Sequence, residues 1–523
     1  MTESFDVVTV GSGHNGLVAA AYLAVAGRKV LVLERNGWFG GGVVTRELTL
    51  PGFRHDQHSM AHIFIQGNPL LQDDELKLKA KYGLRYVFPD PPVSSLFEDG
   101  ETLSFYRDPR RTWADIAKFS RNDADAYLRL SEQAAAWLPM IASTLYSAPM
   151  PMGASTAMLD QSREGRELWR ISQMSTHELL CRTFENDRVR LHFARMAGES
   201  LTAPDEKGTG LGLYVFLGFL EAYGFGVPVG GSGSLTRALI DCIEAHGGRV
   251  LADVDVELVQ ARAGRVVGVR AKDGRDFAAK EAVIAAIHPH RLGELVQGID
   301  PVVAADAAAT EVSVNACITV HAALKEPLQT IRGEPLQSVM LELLPASYEL
   351  LRRSFDDLRY GQLASHPLIG LGSLSEFDAT RVPLGNATVH AWDYVPYARP
   401  DGRSWDDAKG QYAERMLKHM SRFLPNLSGN VLAYHCDSPL DMERTSPSFM
   451  RGDLHGIAMP IYQSGAHRPT PELAQFTVPG TGGLYLVGPF QHPGGGVFGA
   501  GRAAAQRLCE DLKIDFEKIP RMS

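Results

Sequence analysis

Cysteine is scarce in this sequence. Its 523 residues include five cysteines, which are widely scattered and never form a C-x-x-C pair. That pattern argues against a disulfide framework and against a zinc site, and it is typical of a protein of the reducing cytoplasm. A strand-like run starts at Phe5, so we expect no signal or transit peptide before it.

An excess of positive charge is also missing. Lysine and arginine number 52 against 61 aspartate and glutamate, and the net charge of −9 disfavours nucleic acid as a partner. Charged residues make up 22% of the chain and hydrophobic residues 45%, which is ordinary for a globular enzyme. The length is sufficient for two or more domains with sizeable cores.

No uninterrupted hydrophobic run is long enough for a convincing transmembrane helix. Residues 134–159 come nearest because they carry no charge, but Pro139, Pro149 and Pro151 interrupt them. One interpretation is a buried helix and loop within a cap. The other is a surface element that dips into a membrane to collect an apolar substrate, which would place a cytoplasmic protein peripherally at the inner face of that membrane.

The first 34 residues contain the strongest motif. An apolar, β-branched run is followed by G-x-G-x-x-G at Gly11, Gly13 and Gly16, with Ser12 inside the turn, then by a small-residue helical pattern and a second apolar strand ending at Glu34. The glycines suit a tight turn, close approach of a pyrophosphate to the backbone and close helix–strand packing. The phosphates would lie at the helix N-terminus, and Glu34 would bind the ribose hydroxyls.

This fingerprint alone does not separate FAD from NAD. Glu34 and Arg35 are followed by a run of glycines that includes Gly41 and Gly42, and then by Thr45. The run resembles the second glycine motif of FAD enzymes in the glutathione-reductase and amine-oxidase superfamily, where backbone N–H groups approach the flavin and its phosphates. An acid at position 34 argues against a 2′-phosphate and hence against NADP. We predict FAD.

Two later stretches again show the strand and helix pattern of the first 34 residues. Residues 226–290 read as a glycine-rich turn, an amphipathic helix and alternating strands, and residues 482–511 as a buried strand, a glycine turn and a helix. We therefore predict an α/β fold with a Rossmann-type FAD-binding domain and a discontinuous mixed α+β substrate domain. The first comprises residues 1–75, 226–290 and 471–523, and the second, a cap, comprises residues 76–225 and 291–470.

Polar and aromatic clusters mark other candidate regions. His55, Asp56, His58 and His62 are dense, but their spacing matches no familiar zinc signature, so we predict a polar cluster near the flavin and no metal site. A run of aromatics is either core packing or the wall of an apolar substrate tunnel: Tyr214, Phe216, Phe219, Tyr223 and Phe225. Arg502, in the last helix, either neutralises phosphate or substrate charge or has a surface role.

Several blocks spread over the whole chain resemble the phytoene-desaturase-like flavoproteins, in particular the desaturase-like β-carotene ketolases and the mitochondrial pyridine-nucleotide-disulfide-oxidoreductase-domain proteins. The blocks are GSGHNGLVAAAYLAVAGRKVLVLER with GGGVVT, PGFRHDQHSMAHI, PVGGSGSLTRAL and GLYLVGPFQHPGGGVFGAGRAAA. The resemblance implies non-covalent FAD and oxidation of a largely apolar substrate. It adds further cofactor positions: Val256, Gly488, Gly495, Gly496 and Val497. Many relatives carry Gly-Asp where this chain has Gly488-Pro489, which changes a flavin contact.

For the reaction, we predict hydride transfer to the flavin that desaturates or ketolates an apolar substrate. His58 and His492 are the candidate bases, because histidine titrates in the working pH range and their blocks should flank the isoalloxazine ring. The alternative for each is a hydrogen bond to backbone or cofactor with no role in proton transfer. The electron acceptor is oxygen or quinone, and the sequence leaves the oligomeric state open, a homo-oligomer included. Two alternatives stay open: a flavin oxidase or dehydrogenase for a smaller polar or aromatic catabolic substrate, and a flavin-binding protein without turnover.

Overall fold

A computed structural model describes residues 3–523; Met1 and Thr2, where the first predicted domain begins, lie outside the described residues. The strands are, in chain order, β1 (Glu3–Val10), β2 (Val30–Leu33), β3 (Thr45–Arg46), β4 (His55–Asp56), β5 (Tyr86–Val87), β6 (Val93–Leu96), β7 (Thr102–Phe105), β8 (Val227–Pro228), β9 (Arg249–Leu251), β10 (Val256–Arg262), β11 (Arg265–Ala271), β12 (Asp276–Ala285), β13 (Asn315–Leu324), β14 (Met340–Leu343), β15 (Gly370–Gly372), β16 (Ala387–Pro396), β17 (Val431–Asp437), β18 (Thr477–Val478) and β19 (Thr481–Leu486). The α-helices are α1 (His14–Val25), α2 (Pro69–Gln72), α3 (Pro109–Ile116), α4 (Arg121–Leu145), α5 (Met152–Leu159), α6 (Arg163–Gln173), α7 (Thr176–Thr183), α8 (Asp187–Gly198), α9 (Gly210–Tyr223), α10 (Gly233–Ala245), α11 (Leu292–Leu295), α12 (Pro301–Ala308), α13 (Tyr348–Arg359), α14 (Trp405–Met420), α15 (Pro439–Thr445) and α16 (Gly501–Asp511).

The first large sheet contains β1 and is called the nucleotide sheet here. Its order is β10-β11-β19-β12-β1-β2-β9, with β18 paired to β19. The five strands β19, β12, β1, β2 and β9 run parallel, whereas β10 and β11 form an antiparallel extension. A parallel sheet with β1 in its middle and α1 directly after it is the Rossmann-type arrangement, so the predicted fold class is confirmed.

The opening βαβ unit is buried on all sides. All four residues of β2 are buried, as a strand covered on both faces requires, and so is every residue of α1 after His14. Small side chains let α1 lie close to the sheet, and α1 also packs against α10 and α16 in one core. A Cβ at Gly16 would lie 2.9 Å from the Gly11 carbonyl oxygen, so glycine is required for this close packing.

The second large sheet has the order β17-β13-β16-β15-β14-β6-β7 and is antiparallel except for the β6–β14 pair. Side chains alternate between its faces. Ile318, Val320 and Ala322 of β13 pack in a core with Trp405 and Met416 of α14. The intervening residues point to the opposite face, where Cys317 of β13 and Trp392 and Tyr394 of β16 pack in a core with helices α3, α4 and α6–α9.

The uncharged stretch 134–159 is buried in part: Ala134, Trp137, Leu138, Ile141 and Tyr146 belong to the core, whereas the second half lies at the surface. Helix α4 continues through Pro139, and α5 has no buried residue. Met140, Met150 and Met158 have exposed fractions of 36, 45 and 45%. The interpretation of the whole stretch as a buried cap element is therefore wrong. Among residues 3–523, we find no helix with both the length and the apolar character needed to cross a membrane.

Candidate active site

A cavity of about 370 Å³ extends from the carboxyl end of β1 to the apolar side chains of α9 and β14. Most of the predicted cofactor residues line it: Gly11, Gly13, Gly16, Glu34, Arg35, Gly41, Gly42, Val256, Gly488, Gly496 and Val497. Ser12 and Gly495 do not line the cavity. The folding of distant segments has therefore brought both glycine motifs and the C-terminal turn to one site.

Two glycine turns face each other at the N-terminus of α1. Gly41 adopts a φ of +56°, and a Cβ there would lie 3.1 Å from the Cα of Gly13. A Cβ at Gly13, in contrast, would meet no atom within 4 Å. The space that Gly13 leaves open lies beside unpaired helix N–H groups, which suits a diphosphate. The residues present therefore fit the phosphate portion of a dinucleotide cofactor.

The Glu34 side chain is held rigidly at the end of β2. One carboxylate oxygen accepts hydrogen bonds from the Ser12 backbone N–H (3.0 Å) and hydroxyl (2.6 Å), and the other accepts from the Asn36 N–H (2.9 Å). The Ser12 hydroxyl also accepts from the Gly40 N–H at 3.1 Å. Ser12 thus orients Glu34 and ties the two glycine turns together, and the carboxylate keeps acceptor capacity for a ribose hydroxyl.

The Gly488-Pro489 pair lies in the opposite wall of the cavity. The Pro489 carbonyl accepts a hydrogen bond of 2.8 Å from Arg468, whose buried guanidinium also donates to the Ala458 and Ile457 carbonyls. Burial lowers the pKa of Arg468 to about 10. Nearby, a Cβ at Gly495 would lie 2.4 Å from the Cα of His455. Gly495 therefore permits close packing behind the cavity wall, and Arg468 fixes the loop that carries Pro489.

The two candidate bases are in different surroundings. His58 lines the cavity beside Phe449, with ring centroids 5.1 Å apart, and neither ring nitrogen has a partner within the described chain. Burial lowers its pKa to about 4, so the ring is neutral near pH 7 and able to accept a proton. His492 does not line the cavity. Its Nε2 lies 2.8 Å from the Thr144 carbonyl oxygen at the end of α4. The structure does not bring the two histidines together.

The polar residues of the dense segment after residue 54 bond to different parts of the chain. His55 bonds to the Thr49 hydroxyl (2.8 Å), and His62 bonds to the Tyr86 hydroxyl (2.8 Å). Asp56 instead forms a buried ion pair of 2.6 Å with Arg381. Across residues 3–523, no group of three or more His, Cys, Asp or Glu side chains is arranged to hold a metal ion.

Arg502 has a structural partner. Its guanidinium makes two hydrogen bonds, of 2.8 and 2.7 Å, to the buried carboxylate of Glu75, and it is not part of the cavity wall. The expectation that Arg502 neutralises phosphate or substrate charge is therefore not supported, because its charge is already paired.

The aromatic run divides between the two interpretations given for it. Phe216 and Phe225 line the cavity, whereas Tyr214 and Phe219 are buried in the helical core, where Tyr214 packs on Trp137 with centroids 4.9 Å apart. Tyr214 and Phe216 are two positions apart in α9 and so point to nearly opposite sides of the helix, whereas Phe216 and Phe219 lie on the same side and both pack against Phe64 of the wall.

Sequence reasoning missed several residues of the wall. Glu199 follows α8, and its carboxylate accepts hydrogen bonds from Tyr394 (3.0 Å) and Trp392 (3.3 Å) and pairs with the buried Arg195. His455 and the loop 445–449 also line the cavity. No local sequence motif indicates Glu199, His455 or this loop, because their neighbours in the cavity come from distant parts of the chain. His14 also lines the cavity. Because it lies inside the G-x-G-x-x-G motif, its position in the site could have been predicted from the sequence.

The fold and the site together define an FAD-binding flavoprotein: a G-x-G-x-x-G turn after the middle strand of a parallel sheet, a fixed acid at the end of the next strand and a second glycine turn opposite the first. The chain belongs to the flavin containing amine oxidoreductase family, whose model matches residues 16–509. It is an FAD-dependent oxidoreductase, which confirms the predicted cofactor and enzyme class.

Relatives match along almost the whole chain. The rat "Pyridine nucleotide-disulfide oxidoreductase domain-containing protein 2" is 29% identical over 98% of this chain and 94% of its own length. A limonene dehydrogenase polypeptide of Castellaniella defragrans is 25% identical over 98% and 95%, and the lycopene-forming phytoene desaturase of Pseudescherichia vulneris is 25% identical over 97% and 99%. The resemblance to phytoene-desaturase-like flavoproteins is confirmed.

A solved structure supports the fold. Cyclohexylamine oxidase from Brevibacterium oxydans superposes with a TM-score of 0.60 at 17% identity, covering 97% of this chain and 99% of the oxidase. At that identity, the likeness supports the FAD-dependent amine oxidase fold and carries nothing about the substrate.

Proposed function

We propose that this enzyme dehydrogenates a largely apolar substrate, by desaturation or ketolation, within the cavity described above. The observation that carries the proposal is the apolar wall beyond the cofactor residues, formed by Phe64, Phe216, Phe225, Met340 and Leu454. Such a wall favours an apolar ligand because burial of apolar surface is the main source of its binding free energy. Two relatives are named for hydrocarbons, limonene and phytoene, which supports the same class.

The chain's own residues divide the work as follows. The N–H groups at the start of α1 and the space at Gly13 would hold the diphosphate of FAD, Glu34 would bind its ribose, and Val256 would contact its adenine. FAD, when bound, accepts two electrons and one hydrogen from a substrate carbon. The apolar wall orients the substrate and excludes water. His58 accepts the proton that is released when the second C–H bond of the substrate breaks.

Two domains would share this work. The FAD-binding domain comprises residues 1–75, 226–290 and 471–523, and the substrate domain comprises residues 76–225 and 291–470. Sheet membership supports the division: β1, β2, β9–β12, β18 and β19 build the nucleotide sheet, whereas β6, β7 and β13–β17 build the second sheet. The cavity is lined from both sets of residues.

The substrate would enter from a membrane surface beside α4 and α5, with the protein bound peripherally. The exposed Met140, Met150 and Met158 support this contact. The same segment adjoins the cavity, because the Tyr146 hydroxyl donates to the carbonyl of Phe64, a residue of the wall. An apolar substrate could then pass from lipid to cavity without crossing water. Oxygen or quinone would reoxidise the flavin, and a homo-oligomer is compatible with these surfaces.

Glu199 favours a second candidate function. Its carboxylate reaches an otherwise apolar part of the wall, where it could bind an amine or hydroxyl group of a smaller polar substrate. The structural likeness to cyclohexylamine oxidase is compatible with that alternative.

Anaerobic bleaching of the bound flavin separates these functions. The FAD-loaded enzyme is mixed, without oxygen, with an acyclic polyene, a cyclic terpene hydrocarbon or an aliphatic amine, and the flavin absorbance is followed. We expect bleaching by a hydrocarbon. Bleaching by the amine alone would support the second candidate, and no bleaching by any of them would support a flavin-binding protein without turnover.

A further inference from the structure

Three histidines lie side by side on the face of the second sheet that is turned away from α14, and a fourth, His58, follows β4. His321 of β13 is paired in register with His390 of β16 on one side and with His435 of β17 on the other. Ring centroids of His321 and His390 are 4.3 Å apart, and those of His321 and His435 are 6.3 Å apart. His58 lies beside this group, because the neighbouring Gln57 donates to Asp437 of β17 at 2.9 Å and His55 of β4 lies 5.6 Å from His321, centroid to centroid. We call these four residues the histidine row.

The row runs from the cavity to the protein surface. His58 lines the cavity, His390 and His321 are buried, with exposed fractions of 8 and 0%, and the His435 side chain is 37% exposed. His435 donates to Asp437 at 2.9 Å, and Asp437 also accepts from Gln57 at 2.9 Å. Asp437 therefore fixes the orientation of the outermost imidazole.

Packing alone does not explain the two middle histidines. Both ring nitrogens of His321 and both of His390 are buried without a hydrogen-bond partner in the described chain. An unpartnered buried polar group costs about 1–3 kcal/mol in folded proteins. An apolar side chain would fill the same positions on a sheet without that penalty. Imidazole, in contrast, can take up a proton at one nitrogen and release one at the other.

Dehydrogenation creates a need for such groups. Forming a carbon–carbon double bond breaks two C–H bonds: one hydrogen leaves with both electrons to FAD, and the other leaves as a proton. The proposed substrate fills an apolar cavity and excludes water from it, so the proton needs a route through the protein.

We propose that the histidine row conducts this proton from His58 through His390 and His321 to His435 and the solvent. The inference rests on the proposed function. His58 accepts the proton, and His390 and His321 are positioning residues that never touch the substrate and act through His58.

The charged and titratable groups around the row are consistent with a mobile proton. His55 of β4 lies 5.6 Å from His321, centroid to centroid, and its pKa is about 4, so it stays neutral. Arg381 is neutralised by Asp56 and Asp378, and Arg46 faces Gln57. Burial and the neighbouring histidines depress the pKa values of His321 and His390. No site in the middle of the row would therefore trap the proton.

Selective ¹⁵N-histidine labelling tests the route without any substrate. Exchange of imidazole N–H protons with water is measured by NMR on the FAD-loaded protein, and so does not depend on whether the proposed substrate is right. We expect His321 and His390 to exchange at least tenfold faster than His192, which is equally buried, bonds to Ser95 at 2.8 Å and lies outside the row.

Substitutions in the row give the second half of the test. His321→Phe should slow N–H exchange at His390 at least tenfold and leave the exchange rate at His435 unchanged. His321→Asn keeps a hydrogen-bond donor and an acceptor, so exchange at His390 should be slowed less in this variant. His192→Phe is the matched control and should change neither. Flavin absorbance and thermal unfolding report whether each variant folds. Exchange at His321 and His390 as slow as at His192 in the unsubstituted protein would overturn the proposal, and so would unchanged exchange at His390 in a folded His321→Phe variant.

Discussion

At the scale of single residues, the Glu34 carboxylate shows how a local network prepares a cofactor contact. Ser12 and Asn36 hold it before any ligand binds, so little ordering is needed when a ribose arrives. The same bonds explain why Ser12 matters without lining the cavity. Ser12 lies behind the cavity wall and holds Glu34 in place, whereas its neighbours Gly11 and Gly13 form part of the wall.

Replacing that carboxylate should weaken FAD binding. Glu34→Gln removes a charged acceptor, which is worth about 1.5–3 kcal/mol, so the Kd for FAD should rise about 10- to 100-fold. Quenching of flavin fluorescence during titration measures this Kd. Glu257→Gln changes an exposed glutamate outside the wall and should leave it unchanged. Equal Kd values for Glu34→Gln and the unsubstituted protein would remove Glu34 from the ribose site.

Glycine at position 13 should be needed for the ligand and not for the fold. Gly13→Ala adds a methyl group that meets no protein atom but fills the space at the α1 N-terminus. We expect a folded protein with a thermal midpoint near that of the unsubstituted apoprotein and with FAD binding lost. Gly153→Ala is the control, since its methyl group is also free of contacts but lies in the exposed α5. Retained FAD affinity in Gly13→Ala would contradict the assignment.

The two candidate bases can be separated by experiment. His58→Asn should slow anaerobic flavin bleaching about 10²- to 10⁴-fold, the usual range for a lost general base, with flavin content unchanged. His492→Asn should change bleaching much less, because His492 bonds to the end of α4 and does not face the cavity. Equal effects of the two substitutions, or none for His58→Asn, would speak against His58 as the base.

At the scale of secondary-structure elements, some parts of the molecule could be predicted from the sequence and others could not. The β1–α1–β2 unit was predictable because the glycines, the small residues of α1 and Glu34 all act within 34 positions. The exposure of α5 was not, because its uncharged sequence fits a buried helix equally well. Glu199 was also out of reach: its partners Tyr394 and Trp392 lie almost 200 positions away and give no local signal.

Three exposed methionines, on α4, on α5 and in the loop between the two helices, should control membrane binding. Met140, Met150 and Met158 are replaced together by serine, which removes apolar side chains that would enter the lipid surface. We expect the fraction of protein that sediments with liposomes to fall at least threefold. The matched control replaces Val302, Val314 and Leu384, which are exposed elsewhere, by serine. A similar loss in both triple variants, or in neither, would contradict the proposed contact.

At the scale of the whole molecule, buried neutral histidines should make stability depend on pH. Burial holds eight of them at pKa values of about 3 or 4, below the ordinary 6.5: His14, His55, His58, His62, His192, His288, His390 and His419. The unfolded chain takes up a proton at each site below about pH 6.5, while the folded protein does not until pH 3–4. The free energy of unfolding should therefore be level above pH 6.5 and fall as the pH drops below it.

Denaturant unfolding of the apoprotein at pH 7.5, 6.5 and 5.5 measures this dependence. Each such group contributes a slope of up to about 1.4 kcal/mol per pH unit below pH 6.5, so the loss between pH 6.5 and 5.5 should be several kcal/mol. His192→Phe should reduce the slope of the unfolding free energy against pH by up to the contribution of one histidine. A flat profile would show that these histidines are accessible to protons in the folded state.

The most direct test of the central claim, that the cavity beside α1 holds FAD, is a titration of the apoprotein with FAD followed by visible absorbance. The account predicts one FAD per chain for the unsubstituted protein and none for the folded Gly13→Ala variant. A protein that stays colourless with excess FAD, or a Gly13→Ala variant that binds as the unsubstituted protein does, would contradict it.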